Sequence, residues 1–264
     1  MPMCRLPSLL MLLLGLAAMG VGSSWAQPAA YRDYAEFYLP EGGRAEGGDK
    51  VPLVIMLEGT GGSRAWAPNA WTPWLNQRGI ATVQIRSAAS RKRPNGNWSG
   101  TGCSLLYYYD AAAVLELARL EQPRIDTMRY AVMGFSRGGT EALNTRKSFP
   151  ADRPPTAVFS FYPGCEGYCP SDYTADGPTQ VHILYGDADD WGQHKDSYGR
   201  CKRLAGGKIQ FHAFAGASHG FDGTASGAFT ASNMRFGYGP HPEAREQARA
   251  LVWQVLSQAW SLQF

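Results

Sequence analysis

Six stretches of this chain are apolar almost without interruption and end at glycine or polar turns: VPLVIML (51–57), IATVQI (80–85), RYAVM (129–133), TAVFSFY (156–162), TQVHILY (179–185) and KIQFHAF (208–214). A strand with one wet face alternates apolar and polar residues. Strands that do not alternate are buried on both faces, as in a parallel sheet covered by helices. Helix-forming segments fall between them: YYYDAAAVLELARL (107–120), RGGTEALNTRKSF (137–149) and EAREQARALVWQVLSQAW (243–260), the last apolar at Ala248, Leu251, Val252, Val255 and Ala259. Tyr31–Leu39 alternates loosely and reads as a leading edge strand. The expectation is an α/β fold, with a mostly parallel central sheet flanked by helices.

Open parallel sheets bind ligands beyond the carboxyl ends of their strands. In this chain those positions hold Glu58-Gly59-Thr60-Gly61-Gly62, then Gly134-Phe135-Ser136-Arg137-Gly138-Gly139, then Gly186-Asp187-Ala188-Asp189-Asp190, then Ala217-Ser218-His219-Gly220-Phe221-Asp222. A serine hydroxyl needs a general base to attack a carbonyl near neutral pH. Gly-x-Ser-x-Gly between a strand and a helix holds the serine on a tight turn. Glycines 134 and 138 remove the Cβ atoms that would strike the neighbouring strand and helix. Chain order Ser, Asp, His is that of an α/β-hydrolase.

Ser136 is therefore the expected nucleophile, His219 the base and Asp189 the acid that orients it. Asp187 and Asp190 compete with Asp189 and are otherwise candidates to cap the next segment. A calcium loop starting at Asp187 fails, because Trp191 takes a ligand position and Tyr198 stands where a closing glutamate belongs. The other histidines fit less well: His182 and His212 lie within strands, His194 in a polar stretch and His241 between prolines. Oxyanion donors are expected at the backbone N–H of Arg137 and of Thr60. Glu58 either hydrogen-bonds Ser136 or its loop, or lies at the surface. The spacing of the first loop is wrong for a dinucleotide fingerprint, whose third glycine would fall on Arg64.

The segment 1–26 reads as a secretory signal peptide. Arg5 precedes an apolar run, Leu9–Ala18, too short for a membrane span, and Ser24-Trp25-Ala26 offers a cleavage site. Residues 27–264 then form one domain that is periplasmic or secreted, with no stable membrane insertion. Of five cysteines, Cys4 leaves with the leader. Cys103, Cys165, Cys169 and Cys201 remain, and an even number in an exported chain suggests two disulfides whose pairing stays open. A zinc site is the rival for Cys165 and Cys169, but no histidine lies near them in sequence. A net charge of +3 gives no case for nucleic acid. The loop 85–103 carries Arg86 and Trp98, candidates to contact substrate, and is otherwise a solvated basic loop. The stretch 221–242 is either a flap over the site or a meander to the last helix.

The motifs GFSRGG around Ser136, GDADDW around Asp189 and ASHGFD around His219, with YYYDAAAVLEL and FSFYPGC, resemble the dienelactone hydrolase family of α/β-hydrolases. The resemblance implies Ser136 as nucleophile, Asp189 as acid and His219 as base. Two departures stand out. The founding members carry a cysteine where this chain has Ser136, and many relatives have His-Gly in place of Glu58-Gly59. A secreted serine member looks more like a general ester or lactone hydrolase that needs no metal or organic cofactor. Its expected partner is a small-molecule ester or lactone. Acyl transfer, peptide hydrolysis, or a non-catalytic binding role on the same scaffold are the alternatives. Oligomeric state is not legible.

Overall fold

Among the described residues, seven strands share one sheet in the order β1-β3-β2-β4-β5-β6-β7. They are β1 (Ala35–Tyr38), β2 (Val51–Leu57), β3 (Ala81–Ile85), β4 (Ile125–Phe135), β5 (Ala157–Phe161), β6 (Gln180–Gly186) and β7 (Ile209–Phe214). Every pairing is parallel except that of the edge strand β1 with β3. The computed structural model describes residues 28–41, 50–60, 66–87, 108–165, 173–174, 176–231 and 233–263. The leader, Trp98, Cys103, Cys169 and most of the basic loop lie outside the described residues.

The mostly parallel sheet flanked by helices is the expected α/β-hydrolase fold. Every residue of β2, β3 and β5 is buried, which is why these strands do not alternate. The helices are α1 (Trp66–Asn76), α2 (Tyr108–Glu121), α3 (Arg137–Leu143), the short α4 (Asp190–His194), α5 (Ser197–Arg203) and α6 (Pro242–Trp260). The chain runs outward from β2 to β3, then crosses back to β4 and proceeds through β5, β6 and β7. That reversal falls between β2 and β4, the place where open parallel sheets bind ligands, and Ser136 follows β4.

Three elements differ from the sequence expectation. The helix after Ser136 stops at Leu143 instead of running to Phe149, and a 3-10 turn over Thr145–Ser148 follows. Asn144 breaks it, because its side chain donates to the Thr140 carbonyl (2.9 Å) and competes with the helical pattern. Helix α1, in a stretch to which the sequence patterns assign no element, contains Pro68 and Pro73. Pro73 is exposed, while Trp71 and Leu75 are fully buried. In α6 the buried face is Ala244, Ala248, Val252, Val255, Leu256 and Trp260; Ala259 is exposed. His241 starts this helix by accepting the Ala244 N–H on Nδ1 (3.2 Å), with Pro242 in the first turn.

His182 and His212 pack side by side across β6 and β7, with Nδ1 of His182 3.1 Å from Nε2 of His212. The His182 ring also stacks on Phe159. Burial, reinforced by the neighbouring His212, lowers the His182 pKa from 6.5 to about 4. The unfolded chain thus binds a proton near pH 6.5 that the folded chain refuses until about pH 4. Stability from this pair is complete above pH 6.5 and is lost as pH falls toward 4, by up to roughly 3 kcal/mol. Denaturant unfolding of His182→Phe should show a shallower loss of stability between these pH values than the wild type. Parallel curves would contradict the assignment.

Candidate active site

Ser136 occupies the turn between β4 and α3 with φ 53° and ψ −113°, a backbone region that non-glycine residues rarely enter. Close packing on all sides holds it there. A Cβ on Gly134 would stand 2.0 Å from the Gly138 carbonyl oxygen, and one on Gly138 would stand 2.2 Å from the Leu57 carbonyl oxygen. The two glycines of the motif therefore let β4, α3 and β2 meet. The Ser136 N–H donates to the Phe161 carbonyl (2.9 Å), and its own carbonyl accepts from Thr140 (3.1 Å). Although Ser136 is the N-cap of α3, its side chain makes no capping bond. The hydroxyl points instead to His219, with Oγ 3.0 Å from Nε2.

His219 is buried in the loop after β7. Its Nδ1 lies 2.7 Å from Oδ2 of Asp189, which is wholly buried after β6. The other Asp189 oxygen, Oδ1, accepts the Gly192 N–H at 2.9 Å, so Asp189 is itself the N-cap of α4. Both carboxylate oxygens are thus fixed before any substrate binds. Of the three neighbouring aspartates, Asp189 is the one in contact with His219. Asp187 accepts the Gly216 N–H (2.7 Å), and Asp190 accepts the N–H groups of Trp191 (2.8 Å) and Gly237 (3.3 Å). These two tie loops together on the exposed side.

The loop after β2 lies against the serine. A Cβ on Gly59 would stand 3.5 Å from the Ser136 Cβ, and Thr60 follows, exposed. Glu58 is buried, which overturns the surface alternative for it. Arg137 begins α3, and its side chain pairs with the buried Glu141 (3.1 Å). Arg86 is committed elsewhere: its guanidinium pairs with Glu36 (3.1 Å) and donates to the Asp33 carbonyl, holding edge strand β1. Its polar loop position suggested substrate; its strand-end geometry supplies a structural role. Cys165 is joined to Cys201, which ties the turn after β5 to α5. One of the three open pairings is thereby chosen for these two residues.

Sequence reasoning did not find the residues packed behind the histidine. Tyr162 follows β5 with φ 38°, and its ring centroid is 4.6 Å from that of His219. Asp222, fully buried, accepts from Tyr162 Oη (2.8 Å) and from Trp71 Nε1 (2.7 Å). Burial raises the Asp222 pKa, against the opposing pull of these two hydrogen bonds and of His219. Burial beside Asp222 drives the Tyr162 pKa well up, so its hydroxyl stays protonated. The one signal in the sequence was an aspartate three residues after His219. The stretch 221–242 folds partly into a hairpin, β8 (Gly227–Ala231) with β9 (Met234–Tyr238). Its Phe229 ring lies 5.6 Å from His219 and packs with Trp191 and Phe236. The hairpin exit is pinned to the histidine loop by the Gly239 N–H on the His219 carbonyl (3.1 Å).

Known proteins match both the fold and the sequence. A dienelactone hydrolase of Anabaena variabilis superposes with a TM-score of 0.56 at 16% identity, over 85% of this chain and 90% of that one. A dienelactone hydrolase-like promiscuous phosphotriesterase from metagenomic libraries superposes with a TM-score of 0.57 at 19% identity, over 85% and 92%. In sequence, a non-reducing polyketide synthase of Stachybotrys bisbyi is 31% identical over 152 residues, which are 54% of this chain and only 6% of that protein. The sequence model of the dienelactone hydrolase family matches residues 107–260, a span that begins at α2 and takes in Ser136, Asp189 and His219. With more than half its length matched, the chain belongs to the dienelactone hydrolase family.

Proposed function

We propose that this chain is an exported serine hydrolase that cleaves a carboxylic ester or lactone through an acyl-enzyme. The observation that carries the reading is the continuous line Asp189–His219–Ser136, at 2.7 and 3.0 Å, ending on a serine held in a strained turn. Ser136 Oγ attacks the ester carbonyl while His219 Nε2 takes its proton. Asp189 holds the imidazole in place and stabilises its cation. The oxyanion accepts from the N–H groups of Arg137 and Thr60, the latter brought near by Gly59 lying against Ser136. The C–O bond then breaks, and the alkoxide leaves with the proton from His219. Water gives a proton to His219 and its oxygen to the acyl carbon, and Ser136 departs with the proton returned.

Export is supported by the leader-like segment 1–26 and by the Cys165–Cys201 disulfide, a bond that persists in oxidising compartments. The substrate is a small ester with an apolar group beside the carbonyl. What favours this choice is the half-buried Phe229 next to His219, backed by Trp191 and Phe236.

A fluorophosphonate probe should label the mature protein, and Ser136→Ala should abolish the label; equal labelling of that variant would sink the proposal. With p-nitrophenyl esters, Asp189→Asn should lower kcat by about 10³- to 10⁴-fold. Asp187→Asn and Asp190→Asn should stay within a few-fold of wild type, and a larger loss at Asp187 would reassign the acid. Phe229→Ala should raise KM for aryl and medium-chain esters about tenfold while leaving that for acetyl esters nearly unchanged.

A further inference from the structure

We infer that Asp222 is a second carboxylate behind the histidine, a positioning residue that acts through Tyr162 to hold the His219 ring and that favours its protonated form. This rests on His219 being the base. The imidazole is bounded by Asp189 at Nδ1, by Ser136 at Nε2, by Tyr162 from the turn after β5 and by Phe229 from β8. The strand β9 approaches it through the backbone pairing of Tyr238 with His219. Titratable groups facing the ring are therefore Asp189, Tyr162 and, along its own segment, Asp222.

Donors from two separate elements converge on the Asp222 carboxylate. Trp71 Nε1 can only donate, so Oδ2 must accept it. The Tyr162 hydroxyl, kept protonated by burial, donates to Oδ1. Both oxygens are thus arranged for the acceptor-only, ionised form. A fully buried carboxylate is costly where packing alone is needed, since an apolar side chain would fill the space without desolvating a charge. Tyr162 itself is held in a positive-φ conformation by its N–H on the Leu184 carbonyl (2.8 Å), which fixes the ring against His219. The result is a chain from α1 through Asp222 and Tyr162 to the base. A negative charge behind an imidazole stabilises the cation formed during attack and raises the pH at which the base is lost to protonation.

The test is the pH dependence of kcat/KM for p-nitrophenyl acetate, measured from about pH 5 to pH 9, the range over which histidine titrates. Asp222→Asn should move the acid limb down by about one pH unit and lower the alkaline plateau about tenfold. An unmoved limb would overturn the inference, whatever happens to the plateau, because a residue that only packs does not shift a titration. Tyr162→Phe keeps the ring and removes one hydrogen bond to the carboxylate, so Asp222 holds a proton to higher pH. Its limb should move the same way by less. It decides the matter if Asp222→Asn is not folded by circular dichroism, and an unmoved limb there overturns the inference equally. Failure of the underlying reading looks different. Wild-type protein that neither hydrolyses the ester nor labels at Ser136 would remove the base itself, and this role with it.

Discussion

The site depends on a close approach of backbone to backbone at the carboxyl end of β4. Gly138 lies so near the carbonyl of Leu57, and Gly134 so near the carbonyl of Gly138, that no side chain fits at either place. Once β2, β4 and α3 meet at that distance, the residue between them has little freedom. Ser136 is held at positive φ by its N–H on the Phe161 carbonyl, and its hydroxyl is spared from capping the helix behind it. Strain of this kind costs on the order of 1–3 kcal/mol and persists only where packing over-determines it. Here the packing is the centre of the sheet, where Leu57, Met133 and Phe161 are buried.

Around that turn the parallel sheet does the positioning. Consecutive strands β4, β5, β6 and β7 deliver Ser136, Tyr162, Asp189 and His219 in spatial order, each just past its own strand. Short loops follow, and each is fixed by a bond that serves a second purpose. Asp189 caps α4 while it holds the histidine. Asp187 and Asp190, excluded from the imidazole, fasten the loops at Gly216 and Gly237. Cys165–Cys201 ties the turn that carries Tyr162 to α5. The serine, histidine and aspartate are thus the inner part of a larger set of constraints.

The sheet was legible in the sequence, and so was the candidacy of Ser136, Asp189 and His219, because these signals are local. Uninterrupted apolar runs mark buried parallel strands, and glycines flanking Ser136 mark a close approach. The choice of Asp189 among three aspartates had only position behind it until the contact with His219 appeared. Other features depend on tertiary context. Helix α1 forms although it holds two prolines, because Pro73 faces solvent while Trp71 and Leu75 fill the core. The short helix α3 ends where one asparagine side chain competes for a carbonyl. Arg86, a candidate substrate contact in a loop otherwise read as solvated, holds the edge strand. Tyr162 and Trp71 carry no local pattern, and Asp222 shows only as an aspartate three residues after His219; the three come from distant parts of the chain and meet behind His219.

If Ser136 is the nucleophile, an acyl group passes through it covalently. Mixing the mature protein with a slowly hydrolysed p-nitrophenyl ester, quenching in acid and reading intact and peptide masses tests it most directly. The account predicts one added acyl mass, on the peptide that contains Ser136, decaying at the rate of turnover. Ester hydrolysis with no adduct, or with the adduct on another residue, would contradict it.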